Sequence, residues 1–133
     1  MIYAIDANIV SFILQERVSS ISRLREAILH GSDIIIPPIT YYEIIRGFRY
    51  KSAPKKEDSF IQMCKLYSIG EMTFSAWDRA ASIYTNARKS GNTIGDADIL
   101  IAAFCIVNSY TLVTNNTKHF EFISELVIED WSE

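Results

Sequence analysis

With 133 residues, the chain is long enough for one complete hydrophobic core and too short for two ordinary domains. Apolar residues make up 49% of it and charged residues 22%, a balance that excludes an intrinsically disordered chain. The net charge of −3 gives no support to a nucleic-acid partner, and the longest apolar runs are far shorter than the roughly 20 residues of a membrane-spanning helix.

The chain opens on a predicted strand, Ile2–Ile5, which runs directly into Asp6. No basic stretch followed by an apolar segment and a small-residue cleavage site is visible there, so no signal peptide is indicated. We therefore expect a cytoplasmic protein. Cys64 and Cys105 fall in apolar segments without a partner at metal-ligand spacing, and we expect both to be buried free thiols.

Strands and helices alternate along the next part of the chain. Further strands are predicted at Asp33–Pro37, near Gly70–Phe74, at Tyr110–Thr114 and at Leu126–Ile128. Two helices are indicated by apolar residues at helical spacing, which are Ile21, Leu24 and Ile28 in one and Tyr42, Ile45 and Phe48 in the other. The segment Lys51–Asp58 is predicted to be a loop.

Two more helices are predicted in the second half. Ser75 begins a segment in which one face is formed by Trp77, Ala80, Ala81, Tyr84 and Ala87, and Gly91 supplies a stop. We expect both tryptophans, Trp77 and Trp131, to pack in the core or at its edge. The segment Ile99–Val107 predicts a helix that is apolar around most of its circumference and therefore central.

Strands that alternate with helices predict a parallel β-sheet with helices on both faces. Strands buried on both faces are apolar throughout, as the run Ile34–Ile36 is. The expected fold class is therefore α/β, with three layers and a single domain over residues 1–133.

Polar residues follow the predicted strands at the point where each strand ends. Asp6 follows the first strand, Glu43 lies one helical turn after the second, Asp98 lies in the first turn of the central helix, and Asn116 follows the strand Tyr110–Thr114. The carboxyl ends of parallel strands share one edge of the sheet, where ligands bind. These side chains are thus expected to converge, and the three acids to lie close enough to share one cation.

Carboxylates brought together repel each other and become partly protonated unless a cation neutralises them. Hard oxygen ligands suit Mg²⁺ or Mn²⁺, and because cysteine and histidine do not cluster here, zinc is not expected. The sequence offers no glycine-rich phosphate loop and no recognisable serine or cysteine nucleophile. The chemistry that remains is attack of metal-activated water on a phosphodiester.

Each acid also has a local interpretation. Asp6 is a suitable cap for the helix that begins near Asn8. Thr40 and Glu43 have the capping-box spacing, in which the glutamate reaches back to the backbone of Thr40. Side chains two apart on a helix point about 200° from each other, so Asp96 and Asp98 cannot both be adjacent ligands within it. We therefore expect Asp98 to bind the metal ion. Asp96 is expected to cap the helix and is a candidate ligand for a second metal ion.

Several other polar residues have equally plain alternatives. Thr114, Asn115 and Asn116 are compatible with a simple turn. His30 and His119 are expected at the surface. A basic run favours either a solvated loop or a rim that binds phosphates, and it contains Arg46, Arg49, Lys51, Lys55 and Lys56.

Four segments in order resemble the motifs of the PIN-domain family. They are Ile-Asp-Ala-Asn-Ile-Val from Ile5, Thr-Tyr-Tyr-Glu-Ile-Ile-Arg-Gly from Thr40, Ile-Gly-Asp-Ala-Asp-Ile-Leu-Ile-Ala-Ala from Ile94, and Leu-Val-Thr-Asn-Asn-Thr-Lys-His-Phe from Leu112 followed by Ile-Glu-Asp-Trp from Ile128. The third is the most specific, and together they span nearly the whole chain. The length and the lack of appendages look most like the VapC-type toxins of toxin–antitoxin pairs.

The resemblance implies a Mg²⁺- or Mn²⁺-dependent endoribonuclease whose acidic ligand positions fall on Asp6, Glu43 and Asp98. It also implies structured RNA as substrate, a homodimer, and a cognate antitoxin that inserts a segment into the active-site groove. The chain departs from the family at Asn116, where the family often has an aspartate. A neutral amide weakens the case for a tightly held second metal, which Asp96 would compensate.

On this hypothesis, Asn8, Thr114 and Asn116 orient the metal ligands and the attacking water, and Arg46, Arg49 and Lys51 contact RNA. A rival hypothesis is a PIN-fold module that binds RNA or a protein without cutting, motivated by Asn116 and the acidic net charge. A phosphoacceptor receiver domain is disfavoured, because it expects adjacent acids after the first strand and a lysine after the last.

Overall fold

The computed structural model describes residues 1–133 and contains one sheet of five strands. The strands are β1 (Ile2–Ile5), β2 (Asp33–Ile36), β3 (Ser68–Ile69), β4 (Thr111–Val113) and β5 (Ile128–Glu129). Their spatial order is β3-β2-β1-β4-β5, and every neighbouring pair is parallel. The predicted parallel sheet is confirmed, and β1, from the start of the chain, is its central strand.

Seven helices connect the strands and flank the sheet. They are α1 (Ala7–Leu14), α2 (Val18–Leu29), α3 (Pro38–Tyr50), α4 (Pro54–Leu66), α5 (Phe74–Lys89), α6 (Asp96–Asn108) and α7 (Thr117–Phe120). No helix is both long enough and apolar enough to span a bilayer.

The sheet separates two hydrophobic cores, which makes the fold three-layered. Successive strand residues point to opposite faces, so Ile5 and Val113 belong to one core, while Ala4 and Leu112 belong to the other. Helices α1 to α4 fill the first core, and α5 to α7 fill the second. The prediction of a three-layer α/β fold in a single domain is confirmed.

Helix α6 is the centre of the second core, as its apolar sequence predicts. Six consecutive or near-consecutive side chains are buried, which are Ile99, Ile101, Ala102, Ala103, Phe104 and Cys105. Cys64 and Cys105 are both free and buried, and Trp131 is 1% exposed, as expected.

Two local predictions in the middle of the chain are wrong. Pro54 does not lie in a loop but begins α4, at a helical position where its missing N–H costs nothing. The third strand lies at Ser68–Ile69, before the predicted Gly70–Phe74. The amide of Gly70 still donates to the carbonyl of Ile36 at 2.9 Å, but the chain then leaves the sheet and Phe74 begins α5.

The buried face of α5 also differs from the predicted one. Ala80 and Ala87 are buried as expected, but their buried neighbours are Ala76 and Ile83. Trp77 is 52% exposed, so of the two predicted positions, in the core or at its edge, the core is excluded. Because the buried face is mostly alanine, α5 can pack closely on α6, with which it shares its most extensive helix–helix contact. The helix ends at Lys89, near the predicted stop at Gly91, whose φ is +75°.

Candidate functional site

The strand order creates a crevice between the carboxyl ends of β1 and β4. From β1 the chain continues towards β2, and from β4 it continues to β5 on the other side. Open parallel sheets bind ligands where the chain leaves two adjacent strands in opposite directions. Asp6 follows β1 directly and Thr114 follows β4 directly, so both lie at this crevice.

Asp6 is held at the crevice by four hydrogen-bonding interactions. Its amide donates to the carbonyl of Val113 at 2.9 Å, which extends the β1–β4 pairing by one residue, and its carbonyl accepts from Val10 at 3.0 Å. Its side chain accepts from the amide of Ala7 through Oδ1 and from the hydroxyl of Thr114 through Oδ2, both at 2.8 Å. Asp6 therefore does cap α1, and one of its carboxylate oxygens is at the same time fixed from β4.

The environment of Asp6 disfavours its charged form. Asp6 is 5% exposed, and this burial raises the pKa of its carboxyl above the ordinary value. The hydrogen bonds from Thr114 and Ala7 oppose this shift in pKa, while the negative charge of Asp98 adds to it. A buried carboxylate with a second acid nearby is stabilised by any cation that binds between them.

Glu43 lies on α3 and is not part of a capping box. Helix α3 begins at Pro38, two residues before Thr40, so Thr40 cannot be its cap. The hydroxyl of the fully buried Thr40 donates instead to the carbonyl of Ile5 at 3.1 Å, which ties α3 to the end of β1. The capping interpretation of Glu43 is therefore wrong. Its half-buried carboxylate does not cap α3.

The charges of the acids act on Glu43 as well. Burial contributes most to the rise in the pKa of its carboxyl, and the charges of Asp6 and Asp98 raise it further. The guanidinium of Arg46, one turn further along α3, partly offsets this rise. The charge of Asp98 therefore reaches both Asp6 and Glu43, and the charge of Asp6 reaches Glu43.

Asp98 and Asp96 both lie in the first turn of α6. Gly95, not Asp96, is the cap of this helix, so the prediction of a capping role for Asp96 is wrong. Asp96 is exposed, whereas the side chain of Asp98 is 26% exposed and its Oδ2 lies 3.2 Å from Nδ1 of His119. Acids in the first turn of a helix are favoured by the helix dipole.

Two asparagines near the site, Asn8 and Asn116, contact the segment that follows β4. The side chain of Asn8 makes no bond to Asp6 and donates to Oδ1 of Asn115 at 3.1 Å. The backbone amide of Asn116 donates to the hydroxyl of Thr114 at 3.1 Å, and Asn116 begins α7 as its capping residue. The segment from Thr114 is therefore a turn, as the plain interpretation had it, and Thr114 in addition holds Asp6.

The predicted basic residues do not form one continuous rim. Arg46 lines a depression together with Glu43, and its guanidinium lies 5.0 Å from the centre of the Tyr42 ring. Arg49 is paired with Glu57 at 3.5 Å, and Lys51 lines a different depression on the side of α1. Only Arg46 of the three lies beside the acids.

The acids do not form a closed set of ligands. No group of three or more aspartate, glutamate, histidine or cysteine side chains lies close enough together to hold a metal ion in the arrangement seen here. The expectation that Asp6, Glu43 and Asp98 lie close enough to share one cation is therefore not met in this arrangement. What the structure brings together is a buried aspartate, a half-buried glutamate, a second aspartate whose charge raises the pKa of both carboxyls, and one arginine.

Two residues at the site were not predicted to be there. His119 was expected at the surface and is exposed, but it contacts Asp98. Asn115 was considered only as part of a turn, yet it holds Asn8. The signal was available, because both residues follow β4 at the same edge of the sheet as Asn116.

A family model described as the PIN domain matches residues 3–125. Among curated proteins, the chain is similar to ribonuclease VapC2 of Rickettsia felis, with 31% identity and 98% of each chain covered. It is also similar to the tRNA(fMet)-specific endonuclease VapC of Shigella flexneri, with 26% identity and 98% of each covered.

Solved structures of similar fold include two VapBC structures. The chain is similar to a chain of the VapBC2 complex of Rickettsia felis bound to promoter DNA, with a TM-score of 0.91, 26% identity, and 99% and 100% of the two chains covered. A second match, VapBC-1 of nontypeable Haemophilus influenzae, has a TM-score of 0.88 over the full length of both chains. Its identity of 24% supports the fold alone.

Proposed function

Because the chain belongs to the PIN-domain family, and within it to the VapC-type ribonucleases, we propose that it is an endoribonuclease that hydrolyses RNA with Mg²⁺ or Mn²⁺. The observation that carries the proposal is the buried carboxylate of Asp6 at the crevice between β1 and β4, where the charge of Asp98 raises its pKa and both charges raise the pKa of Glu43. Burying such acids together is unfavourable for folding and is typical of sites that bind a cation.

The donor set fits Mg²⁺ or Mn²⁺, since it consists of carboxylate oxygens without cysteine. Asp6, Glu43 and Asp98 would hold the ion, and the exposed Asp96 would assist a second one. Mg²⁺ keeps several of its waters and is commonly bound through only one or two protein carboxylates, so three touching ligands are not required. A bound divalent ion supplies a water of lowered pKa and neutralises charge that builds on the phosphate.

The protein's own groups would prepare this site for a phosphodiester. The Thr114 hydroxyl fixes one oxygen of Asp6, and the amide of Ala7 fixes the other, so the carboxylate cannot rotate away. His119 contacts Asp98 from α7 and restrains that side chain. Arg46, whose charge acts on Glu43, would attract the phosphate backbone. We assign Asn8 and Asn116 to supporting roles through the turn after β4.

The partners of the relatives suggest how this activity is controlled. VapBC complexes pair a VapC chain with a second protein, and we propose that a cognate antitoxin binds this chain and inhibits it. We further propose that the chain forms a homodimer and acts in the cytoplasm, where its RNA substrate is found. Two buried free thiols agree with a reducing compartment.

A second candidate function has one observation in its favour. A PIN-fold module that binds RNA without cutting needs no metal, and no three potential ligands are clustered in the arrangement described. The two proposals differ in whether divalent ions bind at Asp6 and whether the RNA chain is broken.

The test is cleavage of purified transfer RNA and of single-stranded RNA. We expect fragments with Mg²⁺, none with EDTA, and none from an Asp98→Asn variant. Asp33→Asn is the matched control, because Asp33 is an exposed aspartate at the opposite end of β2. Equal products in all reactions would reject the metal mechanism, and intact RNA that is nevertheless bound would favour the binding module.

A further inference from the structure

A depression of about 500 Å³ lies beside the acids and is lined mainly by apolar side chains. It is formed by residues of α3, α5 and α6, and α3 directly follows the carboxyl end of β2. Glu43 and Asp96 line one part, and the rings of Tyr42 and Trp77 line another. The two rings therefore share one depression with Glu43.

Both rings are about half exposed, so their faces are open to a ligand. Trp77 is 52% exposed and Tyr42 is 59% exposed. Trp77 belongs to none of the aromatic or cation–π pairs of the protein, although three pairs of each kind are present. An indole left unpaired at the surface beside a polar site is typical of a binding surface.

Two carboxylates, Glu43 and Asp96, also line the depression, but the pairing of Arg46 with the Tyr42 ring favours a nucleotide as its occupant. Arg46 lies over one side of the Tyr42 ring at 5.0 Å from its centre, so a cation and an aromatic plane are presented together. A nucleotide supplies both complements, a flat base for the ring and a phosphate for the guanidinium. An apolar peptide would use the rings but would leave Arg46 without an anionic partner.

We propose that Trp77, together with Tyr42 and Arg46, forms a subsite in which an unpaired nucleobase next to the cleaved phosphate stacks. The proposal rests on the proposed ribonuclease function and adds a contact to the base beside the cleaved phosphate. A base in a duplex is already stacked and its faces are covered. The subsite therefore accepts only a base whose face is free.

The fluorescence of Trp77 gives a direct measurement. The protein has two tryptophans, and Trp131 is buried in the core. A ten-nucleotide single-stranded oligouridylate, added in EDTA so that no cleavage occurs, is expected to quench the emission of the wild-type protein and not that of Trp77→Phe. A blunt RNA duplex of the same length is expected to leave both unchanged. Oligouridylate that leaves the wild-type emission unchanged would overturn the proposal.

Affinity for the same oligouridylate, measured by polarisation of a fluorescent label, gives the second readout. Trp77→Ala is expected to weaken binding by about 5- to 150-fold, the range measured for loss of one base–aromatic stack, and Trp77→Phe by less. Tyr84→Ala is the matched control, since Tyr84 is an exposed ring two turns further along α5 and does not line the depression. Equal loss in the Tyr84→Ala and Trp77→Ala variants would contradict a specific subsite.

Two outcomes separate this subsite from the function on which it rests. A protein that binds oligouridylate through Trp77 but never cleaves RNA would refute the nuclease and leave the subsite standing. A protein that cleaves RNA equally well with Trp77→Ala would refute the subsite and leave the nuclease standing. If Trp77→Ala keeps RNA affinity but releases a co-expressed protein partner, the depression is a protein-docking surface and the proposal is wrong.

Discussion

The hydroxyl of Thr114 donates a hydrogen bond of 2.8 Å to Oδ2 of Asp6, although the two residues are 108 positions apart in the chain. The bond is possible because β1 and β4 are adjacent and parallel, with Ile5 opposite Val113. Each residue is thus the first beyond the end of its strand. The orientation of the most buried acid at the site is set by a side chain from the other half of the protein.

Replacing Thr114 with valine tests this relationship. Valine keeps the shape of the side chain but removes the donor, so we expect a loss of RNA cleavage of about 10- to 100-fold, typical for groups that orient a metal ligand. Thr114→Ser retains the hydroxyl and is expected to keep most of the activity. Circular dichroism checks that both variants are folded, and a folded valine variant with wild-type cleavage would contradict the role of Thr114.

Removing the charge of Glu43 should stabilise the metal-free protein. The pKa of this carboxyl is raised in the folded state, so between its ordinary value and the raised one the folded protein binds more protons than the unfolded chain. Stability therefore falls as the pH rises through that window, and at neutral pH the ionised Glu43 is a net cost. Because Glu43 is partly exposed, screening keeps the effect below about 1 kcal/mol, or roughly 1–5 °C in melting temperature.

Thermal unfolding in EDTA measures this effect. Glu43→Gln should melt above the wild type at pH 7, and the difference should vanish below the ordinary carboxyl pKa. Glu121→Gln, at an exposed position beyond α7, serves as the control and should change little. Added Mg²⁺ should stabilise the wild type more than the variant. A Glu43→Gln protein that melts at a lower temperature than the wild type in EDTA would show that the charge of Glu43 does not destabilise the fold.

The same raised pKa values predict how activity depends on pH. Metal binding requires ionised carboxylates, and the pKa values of Asp6 and Glu43 both lie above their ordinary values. Cleavage should therefore decline, as the pH is lowered, at a higher pH than an ordinary carboxyl group would give. Because metal and protons compete, raising the Mg²⁺ concentration should move the midpoint to lower pH. A midpoint that does not respond to Mg²⁺ would argue against these carboxylates as ligands.

Gly70 offers a test of the packing between the sheet and α6. A Cβ atom at this position would lie 2.4 Å from Cζ and 2.7 Å from Cε1 of Phe104, closer than packed atoms approach. Gly70→Ala is therefore expected to destabilise the fold by about 1–3 kcal/mol. Gly47, inside α3, has no atom within 4 Å of its added Cβ, so Gly47→Ala should stabilise by roughly 0.5–1 kcal/mol. Denaturant unfolding of both variants measures the contrast, and equal effects would contradict it.

The features that sequence predicts well are those fixed by the pattern of a whole element. The strands before Asp6 and Thr114 are short apolar runs, and α6 is apolar almost all round, so both the sheet and its central helix follow from composition and spacing. The position of the acids at one edge then follows from the parallel topology. The PIN-domain resemblance pointed to the same residues.

The features that cannot be predicted from the sequence are those for which two local patterns fit the same residues equally well. Thr40 and Glu43 have the capping-box spacing, but the helix begins earlier at Pro38, and Thr40 is buried against Ile5. In α5, two overlapping faces share Ala80 and Ala87, and helical periodicity cannot decide whether Trp77 or Ile83 is buried with them. The close packing of α6 favours the face with the smaller side chains, which contains Ala76 and Ile83, and leaves the indole of Trp77 at the surface.

The central claim is that Asp6, Glu43 and Asp98 hold one divalent ion, and calorimetric titration with Mn²⁺ tests it most directly. We predict saturable binding to the wild type and to the Asp33→Asn control, and a loss of affinity of at least about 10- to 100-fold in each of Asp6→Asn, Glu43→Gln and Asp98→Asn. Undiminished Mn²⁺ binding by these three variants, or no binding by the wild type, would contradict the account.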